Sequence, residues 1–271
     1  MRPSLKSSRA RNVFLGSLIA VALSSVAGCK AFFGAPVPMH SVKLADPHGP
    51  AKCLLVLLPG MGDSDRTFMD EGFVELIRRK SISVDLVAGD ATIGYYMRGI
   101  MPQRLEEDVL APTHGKYEKT WMLGVSMGGM GALLYAHEHP KNLDGIVLFS
   151  AYLGDDPIID EVRKAGGPAK WTPPAKAPLT EDNYQRQAWG YLSNLVSKRE
   201  NGPELYVGYG KKDKSGPADR VLADDLPETN VFIDEGDHNW GPWRRLLTRF
   251  LEESSFSKDC AREAEPAAAK P

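Results

Sequence analysis

Short, uninterrupted apolar runs alternate along this chain with longer stretches whose apolar residues recur at helical spacing. The run Cys53–Leu58 (CLLVLL) contains no polar position, the pattern of a strand covered on both faces. Residues 65–80 follow, with Met69, Phe73, Leu76 and Ile77 on one helical stripe. The same reading predicts strands over 82–87, 120–125, 145–149, 204–209 and 230–233. It places helices around 105–109, where Pro112 interrupts, and over 127–137, which Pro140 ends. A last helix starts near Pro242 and carries Trp243, Leu246, Leu247, Phe250 and Leu251 on one face. Strand–helix alternation of this kind implies a mostly parallel sheet with helices on both faces, an α/β fold over residues 51–253.

Between 155 and 201 the rhythm breaks. No strand is predicted there, Gly166-Gly167-Pro168 and Pro173-Pro174 make the first half irregular, and Tyr184, Ala188, Tyr191, Leu192 and Leu195 share a helical face. This reads as a small lid insertion over about 155–201, or alternatively as a crossover helix after a long loop. Residues 29–50 are too rich in Pro and Gly for a helix and read as a tether with edge strands. Residues 254–271 lack an apolar period and read as a disordered tail.

The first 28 residues have the character of an address. Arg2, Lys6, Arg9 and Arg11 precede an apolar run from Val13 to Ala27 that is shorter than the ~20 residues needed to span a bilayer. Charged start, short apolar middle and small-residue end make a secretory signal. Its close, Val26-Ala27-Gly28-Cys29, resembles a bacterial lipobox. The resemblance implies cleavage before Cys29 and lipidation of that cysteine, and hence a membrane anchor in the cell envelope. An ordinary signal peptide with an incidental Cys is the alternative. Lys30 is not the Asp associated with inner-membrane retention, which leans toward the outer membrane, facing the periplasm.

Charge and cysteine content refine this picture. The whole chain has 33 Lys+Arg against 35 Asp+Glu; removing four basic residues with the signal leaves 29 against 35, a net −6. Such a chain has no electrostatic reason to bind nucleic acid. Cys53 begins a buried strand and Cys260 lies in the polar tail, so the two are read as unpaired thiols, although an exported chain permits a disulfide.

The chemistry centres on Gly124-Val125-Ser126-Met127-Gly128. A strand turning sharply into a helix puts the serine at the apex of a strained elbow, and side chains two residues away on either side would collide, so glycine is required there. The predicted strand before it and helix after it supply that context. A serine needs a base, and the base an orienting acid. His238, in the loop Gly236-Asp237-His238-Asn239 before the last helix, is the candidate base, since His137 and His139 lie about three turns along the helix from Ser126. Asp213, shortly after the strand over 205–209, is the candidate acid; Asp155 and Asp156 are the alternatives and Asp219 a weaker one. Donors for a developing oxyanion are expected from the backbone N–H of Met127 and, in the loop Pro59-Gly60-Met61-Gly62-Asp63, that of Met61. No G-x-G-x-x-G, paired Cys or H-E-x-x-H is present, so neither a nicotinamide cofactor nor a metal is expected.

Together these segments resemble the α/β-hydrolase superfamily over about residues 50–253. Leu57-Leu58-Pro59-Gly60-Met61-Gly62-Asp63 is similar to the H-G-x-G-D loop of carboxylesterases and acyl-protein thioesterases, with Pro59 in place of the usual histidine. Ser126-Met127-Gly128-Gly129-Met130-Gly131-Ala132 and His238-Asn239-Trp240-Gly241-Pro242-Trp243 are similar to the S-M-G-G-x-G-A and H-x-W-x-x-W of the esterase D group. The resemblance implies a serine hydrolase that cleaves small-molecule or lipid esters or thioesters through an acyl-enzyme on Ser126. An acyltransferase with the same triad, or a non-catalytic lipid-anchored binding protein on this scaffold, are the competing readings.

Overall fold

The computed structural model describes residues 34–198 and 201–262. The signal segment 1–28, Cys29 and residues 263–271 lie outside the described residues.

Seven strands form one sheet. They are β1 (Ser41–Leu44), β2 (Cys53–Leu58), β3 (Val84–Gly89), β4 (Lys119–Val125), β5 (Gly145–Phe149), β6 (Glu204–Gly210) and β7 (Val231–Asp234), in the order β1-β3-β2-β4-β5-β6-β7. β1 is an antiparallel edge strand; every other pair is parallel. All six residues of β2 are fully buried. Alternate residues serve opposite layers: Leu54, Val56 and Leu58 face one apolar cluster, and Cys53, Leu55 and Leu57 the other.

The first layer holds α3 (Ile93–Met97), α4 (Met101–Leu105), α5 (Met127–Glu138), α6 (Asp156–Lys164), α7 (Tyr184–Val196) and α8 (Gly216–Ala223). The second holds α1 (Thr67–Asp70), α2 (Phe73–Arg78), α9 (Trp240–Glu253) and α10 (Ser255–Asp259). The single helix expected over 65–80 is split at Gly72, whose φ of +76° breaks the α-helical path. The chain around 105–109 is not one regular helix either. It passes from α4 into a π turn (Glu106–Leu110) and a 3₁₀ turn (Ala111–Thr113) that accommodates Pro112.

The segment expected as a lid is built mainly as a crossover between β5 and β6. α7 packs along α5 and buries Gln187 through Ser193. Leu179, Thr180, Glu181 and Tyr184 border one cavity at the carboxyl edge of the sheet, and Asp156, Ile159, Asp160 and Arg163 border a smaller one between the ends of β5 and β6.

The tail corrects the sequence reading twice. Residues 254–262 are ordered, with α10 placing a fully buried Phe256 against Trp121 and Phe250. Burying a Phe side chain is worth about 1.5–3 kcal/mol. Beyond α10, Ser83 N–H donates to Cys260 O (2.7 Å), and the Arg262 guanidinium lies 2.7 Å from the Asp46 carboxylate. The two cysteines are not free thiols: Cys53 and Cys260 form a disulfide across 207 residues. A cross-link closing so long a loop stabilises by about 2–5 kcal/mol, mostly by restricting the unfolded chain. A lone aromatic in a polar stretch has no periodicity, so only the tertiary contact reveals that it docks.

Candidate active site

The carboxyl ends of β2, β4, β5, β6 and β7 converge on one edge of the sheet, and the loops leaving them carry the candidate residues. β4 runs into α5 at Ser126, which has φ 51° and ψ −117°, a conformation that costs a non-glycine residue of order 1–3 kcal/mol. The flanking glycines are explained by contact. A Cβ on Gly124 would lie 2.2 Å from Gly128 O, and one on Gly128 would lie 2.1 Å from Leu58 O. The elbow is also held from outside, by Ser126 N–H to Phe149 O (2.9 Å) and Tyr152 N–H to Ser126 O (2.9 Å).

His238 leaves the loop between β7 and α9. Its Nε2 is 3.0 Å from Ser126 Oγ, and its Nδ1 is 2.9 and 3.0 Å from the two carboxylate oxygens of Asp213. Asn239 caps α9 by accepting from Gly241 N–H (2.9 Å), which fixes the loop just after the histidine. The Asp213 side chain is inaccessible to solvent. Burial by itself raises its pKa. Hydrogen bonds from His238, the Ser150 hydroxyl and Ser215 N–H, with the His238 charge, outweigh that and hold the carboxyl below the usual aspartate value.

The alternatives for the acid sit elsewhere. Asp155 accepts from the Tyr152 hydroxyl (2.7 Å) and the Gln185 amide (2.8 Å), which lower its pKa and tie it to α7. Asp156 is the first residue of α6 and points to solvent. Asp219 is fully buried in α8; its Oδ1 accepts from Ala151 N–H (3.2 Å), and its Oδ2 has no partner among the described residues. Desolvation, reinforced by the nearby charge of Asp213, pushes Asp219 well above the ordinary value, so it is neutral where Asp213 is ionised.

The loop after β2 packs directly on the elbow, since a Cβ on Gly60 would be 3.4 Å from Ser126 Cβ. The backbone N–H groups of Met61 and Met127 donate to no other group among the described residues. Asp63 closes the loop, with its N–H on Gly60 O (3.2 Å) and its carboxylate within the influence of the Trp240 indole N–H. Burial, opposed by that N–H and assisted by Glu71, raises the Asp63 pKa.

Beside Met127 opens a cavity of about 430 Å³ whose walls include Ile93, Tyr96, Met97, Leu134, Leu179 and Tyr184. The Tyr96 hydroxyl donates to Met127 O (3.3 Å), bracing the first turn of α5. Tyr95, Trp171 and Trp189, the other aromatics that could have lined such a pocket, are core residues. Sequence reasoning missed Ser150. Its only signal is position, directly after a buried strand at the edge where the other candidates gather.

The seven-stranded sheet with a strained serine elbow after β4 and a histidine loop before the last helix is the α/β-hydrolase fold. Among solved structures, the chain is similar to an S-formylglutathione hydrolase from Staphylococcus aureus, at 15% identity and a TM-score of 0.55 over 80% of this chain and 98% of that one. It is also similar to Est1E from Butyrivibrio proteoclasticus, at 16% identity and a TM-score of 0.51 over 83% and 95%. At these identities the likeness is one of fold. Residues 106–189 match the family described as Serine aminopeptidase, S33, a stretch that includes Ser126 but ends before Asp213 and His238. In sequence the chain is 30% identical over 166 residues to an acetyl esterase from Caldicellulosiruptor saccharolyticus, covering 55% of this chain and 59% of that protein.

Proposed function

We propose that this protein is a serine hydrolase of carboxylic esters, with Ser126 as nucleophile, His238 as general base and acid, and Asp213 as the orienting carboxylate. The observation that carries the reading is the continuous Ser126–His238–Asp213 hydrogen-bond chain, all of whose links are 3.0 Å or shorter. The partial likeness to an acetyl esterase supports ester chemistry.

In this reading Asp213 holds the His238 Nδ1–H, leaving Nε2 free to take the Ser126 proton. Oγ then forms a bond to the ester carbonyl carbon, and the oxyanion accepts hydrogen bonds from Met61 and Met127 N–H. The His238 imidazolium returns the proton to the leaving alcohol oxygen as the C–O bond breaks. Water, deprotonated by His238, then resolves the acyl-enzyme and regenerates Ser126.

The cavity beside Met127 seats the bulkier half of the ester, because its walls are largely apolar and it lies against the oxyanion donor. With a panel of acetate and longer-chain or aryl esters, Leu179→Trp should lower kcat/KM for the bulky members by about tenfold and leave acetates within about twofold. Equal losses across the panel would mean that the cavity is not the substrate site.

We further propose that the protein is lipid-anchored at Cys29 in the cell envelope. The lipobox-like Val26-Ala27-Gly28-Cys29 supports this, and so does the Cys53–Cys260 disulfide, a bond that persists in oxidising compartments. In cells, Cys29→Ala should move the protein from the membrane to the soluble fraction and abolish incorporation of labelled palmitate. Unchanged membrane association and labelling would contradict the anchor.

A further inference from the structure

Behind Asp213 lies a polar layer that the three-residue chain does not itself require. Ser150 follows β5, is fully buried, and has φ 47°. Among the described residues only three non-glycine residues have positive φ, and Ser126 and Ser150 are two of them. The Ser150 backbone is fixed by its N–H on Gly208 O (2.8 Å), at the end of β6 that leads to Asp213. Its Oγ accepts from the indole Nε1–H of Trp243 at 2.8 Å. The same Trp243 ring stands edge-on to His238, with centroids 5.0 Å apart and planes at 85°.

These contacts have a fixed direction. An indole N–H can only donate, and an ionised carboxylate can only accept. Ser150, with one proton, therefore accepts from Trp243 and keeps that proton for Asp213, whose carboxyl its hydroxyl helps to hold below the usual value. We propose that Ser150 and Trp243 are positioning residues for Asp213. Their hydrogen-bond chain sets the orientation of the carboxylate and the share of its charge that reaches His238. The positive φ of Ser150 costs about 1–3 kcal/mol and sits, like that of Ser126, at the carboxyl edge of the sheet. The hydrogen-bond chain gives the second tryptophan of the H-x-W-x-x-W segment a role in the site. The inference rests on the ester-hydrolase reading above, and its test separates the two.

The full chain carrying Ser150→Ala, Ser150→Gly or Trp243→Phe would be assayed on 4-nitrophenyl acetate across pH. Glycine tolerates the positive φ, so comparing it with alanine separates backbone fit from the hydroxyl. Both Ser150 variants should lose about 10- to 100-fold in kcat, the cost of a hydrogen bond to a charged group. KM should stay within about twofold. The acid limb of kcat/KM should move to higher pH, because a carboxylate with one donor fewer holds the His238 imidazolium more tightly. Trp243→Phe should move the limb in the same direction by less and add little to Ser150→Gly in the double variant. Recovery of full activity in Ser150→Gly, or an unmoved acid limb with only a lower Tm, would overturn the proposal. Were the wild type inactive on esters, the hydrolase reading would fail, and NMR of the His238 Nδ1 proton would still test the relay. A downfield shift of that resonance in Ser150→Gly and Trp243→Phe, from a carboxylate that binds the proton more strongly, supports the relay, and an unchanged or upfield resonance overturns it.

Discussion

Ser126→Ala should abolish the proposed ester hydrolysis, with kcat falling on the order of 10⁴- to 10⁶-fold while the protein stays folded. The size of the loss follows from the role proposed for Oγ, the attacking atom, which lies 3.0 Å from His238 Nε2. Removing the hydroxyl leaves the elbow glycines and the Met61 and Met127 donors in place, so substrate still binds. His238→Ala should cost a similar factor, and the double variant little more, because the two residues act as a unit. Purified variants assayed against the wild type, with thermal melts as the folding control, decide the matter. Turnover retained by Ser126→Ala would remove the nucleophile assignment.

Asp213→Asn and Asp219→Asn separate two buried carboxyls that the chain places in successive elements. Asp213→Asn should lower kcat by about 10⁴-fold, because an amide presents a donor to His238 and favours the wrong tautomer. Asp219→Asn should leave kcat within about twofold, since the native group is already neutral and an amide keeps the oxygen that accepts from Ala151 N–H. The two should also differ in how stability follows pH. Asp213 has a lowered pKa, so its contribution is present above the ordinary aspartate value and is lost as pH falls through its own lower one. Asp219 has a raised pKa, so the folded chain keeps a proton that the unfolded chain releases. Stability therefore declines as pH rises from the ordinary value toward that of Asp219. Asp219→Asn removes that decline and should raise Tm at neutral pH, whereas a lower Tm with lost activity would make Asp219 part of the reaction machinery.

The succession of strands and helices and the place of the serine were legible in the chain because both rest on local pattern. A fully apolar run such as Cys53–Leu58 has few fates other than a covered strand, and Gly124 and Gly128 mark an elbow by the side chains they lack. His238 and Asp213 were legible through loop position, being the histidine and an aspartate that follow the last strands. What local pattern does not carry is contact between distant segments. Cys260, Phe256 and Arg262 look like a polar tail until the surface they dock on is in view. The helix over 65–80 failed at Gly72 because the apolar stripe continues across a break that only the backbone records. Ser150 shares that invisibility, since its importance lies in the φ it adopts and in a tryptophan 93 residues away.

The central claim is that Ser126 is an activated nucleophile, and a fluorophosphonate probe tests it most directly because it reacts with such a serine whatever the natural ester. The wild-type protein should be labelled on Ser126, identified by peptide mass, and Ser126→Ala should show no labelling. Folded wild-type protein that the probe leaves unmodified, or a Ser126→Ala variant labelled as fast as the wild type, would contradict the account.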